Sequence, residues 1–380
     1  MQPALSQFED EGFTFPDYKN SNMQILKEIT YGNHRRTGSK PKKIFMVVDG
    51  LGYNLLTKTM PNLPGYPELS SISTVFPSTT SVVLSSIDSG KTPAEHGIIA
   101  WQVYVKEIGS VVMPFRDSLV LSKNFRLSSA GISPIVPEPK MLMRISEKKK
   151  ILLQYQEAVT RPHDHMLKNT VLKYHASHLD MLLSLKKEVL QDSHDFIYAY
   201  TDVIDHAQHR YGVSAEEVSH YVKSFFHDFE KILLPALIRS NYSLVITADH
   251  GTIEATNKIS VNHDDKMMDY LIMPPYGDPR IRYFHVSNGK EDKFERYFNN
   301  KYGKYSMLLR SDDAIKIGLF GKNSVAENLR ARFGTHLAIM KGHGTFEYNY
   351  PVTPPKHNWD LVGHHSGMSE DEMRVPLLVY

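Results

Sequence analysis

Three short apolar runs in this chain each lead into acidic residues, and they constrain the fold more than any other feature. Ile44-Phe45-Met46-Val47-Val48 closes on Asp49-Gly50. Phe196-Ile197-Tyr198-Ala199-Tyr200 leads to Asp202 and Asp205, and Leu244-Val245-Ile246-Thr247 leads to Asp249-His250. Apolar runs without polar alternation predict strands buried on both faces, as in a parallel sheet. Helical patterns are expected between them, over residues 81–89, 167–190 and 215–238. Strand–helix–strand alternation predicts an α/β fold, with a mostly parallel sheet sandwiched between helices. Such sheets bind ligands beyond the carboxyl ends of their strands, where these acidic residues fall.

The chain of 380 residues accommodates one large α/β domain with an insertion, or two domains. Residues 1–40 read as a poorly patterned lead-in, 41–251 as the α/β core, and 252–360 as an inserted mixed α/β subdomain that contributes to substrate choice. Strand-like runs at 281–286 and 337–340 fall in the insertion. The core sheet is expected to resume in 361–380, with its last strand at 375–379.

Lysine and arginine total 44 against 42 acidic residues, so charge gives no case for a nucleic-acid polymer or an anionic membrane. The densest basic patch, Glu147-Lys148-Lys149-Lys150, reads as solvated surface. Absence of cysteine excludes thiolate metal sites, disulfides and thiol catalysis. Residues 1–15 carry Glu9, Asp10 and Glu11 and no apolar run of signal-peptide length, and no stretch is apolar enough to span a membrane. The expectation is a cytoplasmic protein.

Asp49 alone would be an ordinary turn residue, but Asp249 repeats its position and is followed by His250. A carboxylate and an imidazole in one small volume suit a divalent cation. Asp205 and His209, four apart, fall on one side of a helical turn. Asp202 and His206 have the same spacing. Asp205 and His209 are preferred because Gly212 follows. Thr79 and Thr80 open an apolar helical run after Phe76-Pro77-Ser78, where a hydroxyl can cap the helix or face a docked phosphate in positive potential. Gly363-His364-His365-Ser366-Gly367 presents two imidazoles between glycines. His34, His163, His165 and His285 lack such context and read as surface or core.

In this order, these motifs resemble the alkaline phosphatase superfamily, and within it the type I phosphodiesterase/nucleotide pyrophosphatase branch. The resemblance covers residues 42–102, 195–252 and 361–380, and includes the stretch Gly90-Lys91-Thr92-Pro93-Ala94-Glu95-His96-Gly97-Ile98. Counting back from Gly90 places the family's nucleophile at Thr80. The resemblance implies an alkaline-phosphatase-like fold and two divalent metals, zinc first and manganese second. One metal is held by Asp49, Thr80, Asp249 and His250, the other by Asp205, His209 and His365. It further implies hydrolysis of phosphodiester or pyrophosphate bonds of a small, nucleotide-type substrate through a phospho-threonine.

Two positions depart from the family's pattern. Trp101 stands where an Asn usually helps hold a phosphate oxygen, and Ser366 stands where Gly usually follows the distal His. Trp101 could instead stack a nucleobase or aryl group. Another phosphatase, a phosphonate hydrolase or a mutase of the superfamily is the nearest rival reading. From a different class, the rival is a metal protein that binds phosphate ligands without turnover. A sulfatase is not expected, because the formylglycine precursor motif is absent.

Overall fold

The computed structural model describes residues 5–32, 36–122, 124–131, 135–156, 166–350 and 360–380. His34, His163 and His165 lie outside them. In chain order the elements that frame the site are α1 (Met23–Tyr31), β1 (Lys42–Val48), β2 (Glu68–Ser73), α2 (Thr80–Ser89), β3 (Ile151–Gln156) and β4 (Thr170–His175). Then follow α3 (His178–Gln191), β5 (Phe196–Thr201), α4 (Val203–Tyr211), α5 (Glu216–Asp228) and β6 (Tyr242–Thr247). The insertion carries β7 (Tyr276–Asp278), β8 (Ile281–Phe284), β9 (Ser306–Arg310) and β10 (His336–Met340). The chain closes with β11 (Gly363–His364) and β12 (Arg374–Val379).

The central sheet has the order β2-β12-β6-β1-β5-β3-β4. Neighbours from β6 to β4 pair in parallel, while β12 runs antiparallel to both β6 and β2. Every residue of β5 and β6 is buried, which is why these runs lack polar alternation. A second sheet, β7-β8-β10-β9, is antiparallel throughout and lies in the insertion. Its core also takes Phe8, Phe13, Phe76, Ile99 and Val103 from outside the insertion.

Two expectations need correction, and a third is borne out with a local refinement. Residues 167–190 are not one helix: Thr170–His175 forms the edge strand β4, and α3 begins only after Ser177, whose side chain accepts from the Asp180 amide. The β-formers Thr170, Val171 and Tyr174 favour a strand there, and the cap starts the helix. The 215–238 stretch is helical but contains a π turn, Phe229–Leu233, where the Leu234 N–H reaches back to the Phe229 carbonyl. Pro235 has no N–H to donate, and the widened turn carries the chain past it. The lead-in is patterned after all: Met23, Leu26 and Ile29 form one buried stripe of α1, joined by Ile25. Among the described residues, no helix is long and apolar enough to cross a membrane.

Candidate active site

Val47 pairs with Thr247 and Val48 with Thr201, so Asp49, Asp249 and Asp202 emerge level at the carboxyl ends of three adjacent strands. Gly50, at φ +74°, turns the chain directly after Asp49. A Cβ on it would stand 2.8 Å from the Asp205 Cα, so glycine permits α4 to start this close to β1. The Asp205 amide then donates to the Asp49 carbonyl at 3.2 Å.

Thr80 is the first residue of α2, with Thr79 as its extended N-cap. The Thr80 Oγ1 lies 3.4 Å from Asp49 Oδ2 and 3.2 Å from His250 Nε2. The Thr79 hydroxyl lies elsewhere: it caps nothing in its own helix and stands beside the Asp278 carboxylate, whose charged form it favours. Of the two threonines, Thr80 faces the cluster.

The three imidazoles share one arrangement. His209 Nδ1 is 2.8 Å from the Gly363 carbonyl, His250 Nδ1 3.1 Å from the Gly251 carbonyl, and His365 Nδ1 3.2 Å from the Ser78 carbonyl. A carbonyl only accepts, so each Nδ1 carries a proton, and Nε2 of the neutral ring is the lone-pair nitrogen. His250 Nε2 lies 3.5 Å from Asp49 Oδ1 and 3.4 Å from Asp249 Oδ2, and His209 Nε2 lies 3.2 Å from Asp205 Oδ2. The His250 and His365 rings stack at 3.8 Å and 19°. His364 pairs with Ile253 in a short ladder, and its Nε2 lies 3.3 Å from the Leu361 carbonyl. His206 is exposed on the outer side of α4, so of the two spacing pairs Asp205 and His209 reach the cluster.

Electrostatics single out the same residues. Burial, then the Asp249 and Asp205 carboxylates, push the Asp49 carboxyl well above its usual range. Burial would also raise Asp205, but His209 outweighs it and holds Asp205 below the usual range. Burial opposes charge on His209, and Asp205 more than offsets it, raising the imidazole to about 9. Burial, then His250, keeps His365 neutral well below its ordinary value.

Asp49 Oδ1, Asp205 Oδ1 and Asp249 Oδ2 are buried with no hydrogen-bond donor. Ligand atoms of Asp49, Asp249 and His250 all lie within 4.8 Å of one another, as do those of Asp205, His250 and His365. Orphaned carboxylate oxygens beside Nε2-directed imidazoles fit hard-to-borderline divalent cations. His250 belongs to both groups, so the pocket is continuous.

Several contributors were not read from the sequence. The Tyr200 hydroxyl donates to Asp49 Oδ2. It ends an apolar run, and a buried tyrosine needs a partner, which was a usable signal. Asn22, fully buried, donates to the Ala248 and Asp249 carbonyls, both at 3.0 Å. Asp278 accepts from the Trp101 amide at 3.0 and 3.1 Å. Burial pushes its carboxyl up to about 6, against the pull of the Trp101 amide and Arg282. The half-buried Trp101 ring meets Phe115 at 6.5 Å between centroids, and the Arg116 guanidinium lies 5.7 Å from the ring.

A mixed sheet with this acid, imidazole and hydroxyl cluster at its strand ends has an alkaline-phosphatase-like fold, and the sequence family it carries is one of metal-dependent phosphoryl hydrolases. The family model of type I phosphodiesterase / nucleotide pyrophosphatase matches residues 43–292, and the chain belongs to that family. No curated protein matches it in sequence.

Among solved structures it is similar to murine ectonucleotide pyrophosphatase / phosphodiesterase 5, at 15% identity and TM-score 0.65, over 89% of this chain and 88% of that one. An inactive variant of the murine protein in complex with AMP matches at 14% and 0.62, over 90% and 88%. Phosphonoacetate hydrolase from Sinorhizobium meliloti 1021, in complex with phosphonoacetate, matches at 16% and 0.60, over 91% and 92%. At these identities the likeness establishes the fold.

Proposed function

We propose that the protein hydrolyses phosphodiester or pyrophosphate bonds of a small, nucleotide-type substrate through a covalent intermediate on Thr80. The observation that carries this reading is the Thr80 hydroxyl set against the cluster, 3.4 Å from Asp49 and 3.2 Å from His250. Asp49, Thr80, Asp249 and His250 would hold one divalent ion, and Asp205, His209 and His365 a second. Three imidazoles and three carboxylates without cysteine favour zinc, then manganese. When bound, such ions polarise phosphoryl oxygens and lower the pKa of a coordinated hydroxyl or water.

The roles of the chain's own residues follow from position. Thr80 Oγ1 forms a bond to phosphorus while the bond from phosphorus to the leaving oxygen breaks, and the proton of the threonine departs with the alcohol product. Water then bonds to phosphorus, the bond to Oγ1 breaks, and a proton returns to Thr80. Tyr200 holds the Asp49 carboxylate through a hydrogen bond. The three Nδ1–H groups fix their imidazoles against backbone carbonyls, so that Nε2 does not rotate out of the pocket. Trp101 would stack a nucleobase or aryl group of the substrate.

A phosphonate carrying a carboxylate is the second reading. It draws support from Arg116, an exposed guanidinium beside the Trp101 ring that could meet a second anion. The test is a panel of bis(p-nitrophenyl) phosphate, a nucleoside triphosphate, an alkyl diester and phosphonoacetate, with zinc or manganese, for wild type and Trp101→Ala. The diesterase reading expects turnover of the first two, and a larger loss on the nucleotide than on the alkyl diester after Trp101→Ala. Turnover of phosphonoacetate alone transfers the case to the second reading. Metal binding with no turnover of any ester or phosphonate favours a non-catalytic phosphate binder.

A further inference from the structure

The β7–β8 hairpin brings three buried charges into the molecule at alternate positions: Asp278 at the end of β7, Arg280 in the turn and Arg282 in β8. Each meets a different segment. Arg282 donates to the Phe346 and Gly277 carbonyls and stays within the insertion. Arg280 pairs through two nitrogens with Glu372, and Glu372 also accepts from the Gly367 amide two residues beyond His365. Asp278 accepts the amide of Trp101 and stands beside the hydroxyl of Thr79, the residue immediately before Thr80.

From this geometry we infer that Asp278 is a positioning residue, by which the inserted sheet fixes the first turn of α2 and so aims the Thr80 hydroxyl. Asp278 is 5% exposed, so solvent does not substitute readily for its bonds to the Trp101 amide. The Thr79 side chain beside it bonds no amide of the first turn, where an N-cap hydroxyl ordinarily would. By engaging Trp101, Asp278 also fixes the segment that Ser81 grips from the other side, with its Oγ 3.1 Å from the Ala100 carbonyl. Thus one carboxylate in the insertion holds both the helix bearing Thr80 and the aromatic beside it. The inference rests on Thr80 being the reacting group, and it gives the insertion a task in catalysis besides substrate choice.

The test compares wild type, Asp278→Ala, Asp278→Asn and Thr79→Val in full-length, metal-loaded protein. The readouts are kcat and KM on bis(p-nitrophenyl) phosphate, metal content, melting temperature, and orthovanadate affinity, which needs no turnover. Asp278→Ala and Thr79→Val should each lower kcat about 10- to 100-fold, with KM within threefold and metal content unchanged. Asn keeps an acceptor for Trp101 and can donate to Thr79, so Asp278→Asn should recover most of kcat. Vanadate affinity should fall about tenfold in Asp278→Ala and return in Asp278→Asn.

Wild-type kcat and vanadate affinity in Thr79→Val and Asp278→Ala overturn the inference. So do losses that merely track metal content or melting temperature. Should Asp278→Ala not fold, Thr79→Val and Asp278→Asn decide the matter by the same criteria. A wild type that turns over no ester refutes the proposed function, and vanadate affinity across the variants still judges the positioning role.

Discussion

Ser366 sits in a conformation that suits glycine. Its φ is +92°, it is fully buried, and its Oγ has no hydrogen-bond partner. A side chain in that region costs about 1–3 kcal/mol, whereas glycine loses roughly 0.5–1 kcal/mol more backbone entropy on folding. The strain outweighs the entropy, so Ser366→Gly should stabilise the protein by about 1 kcal/mol in denaturant unfolding. An unchanged or lower midpoint would show that the backbone there is relaxed. Thr80→Ala should reduce turnover by on the order of 10³ or more while metal content holds, because a hydroxyl that forms the covalent bond has no substitute nearby. At this scale the sequence was informative wherever a residue ends a strand: Asp49, Asp249 and His250 follow directly from apolar runs. It was silent on Asn22 and Asp278, whose partners lie 226 and 177 residues away.

Elements buried on both faces announced themselves, since β1, β5 and β6 need uninterrupted apolar residues. The edge strand β4 did not. Val171, Leu172 and Tyr174 are exposed there, and without one buried face their pattern merged with that of α3. The insertion could be read as strand-like segments, but not as a clamp, because Arg280 resembles a surface arginine until Glu372 is found 92 residues on. Both side chains are fully buried. Truncating one partner leaves the other charge uncompensated, so Arg280→Met should cost about 3–5 kcal/mol. Burial would raise the Glu372 carboxyl, but Arg280 outweighs it and depresses it below its ordinary 4.5. Being depressed, it contributes stability above about pH 4.5 and loses it as pH falls. Wild type should therefore lose its advantage over Arg280→Met on acidification below that value. A constant gap from pH 7 to pH 3 would assign the cost to packing instead.

At the scale of the whole molecule, distant segments converge on a site that is electrostatically unbalanced without cations. Asp49, Asp205 and Asp249 share a buried pocket in which His209 is the imidazole raised toward the charged form. In the metal-free protein Asp49 has a raised pKa, so its contribution to stability is present below the ordinary carboxylate value and is lost as pH rises through the folded one. Cation binding runs the other way, because ligands must shed protons to bind. The stabilisation conferred by zinc or manganese should therefore grow from acid to neutral pH. A ligand at about 100 times its Kd adds about 2.7 kcal/mol to the folded state. Melting temperatures with and without chelator should thus diverge between pH 5 and pH 8, with turnover lost on chelation and regained when metal is restored. A gap that stays constant with pH would mean that the carboxylates and imidazoles do not take up the ion. Loss of turnover with no change in melting temperature would place the catalytic ion outside this cluster.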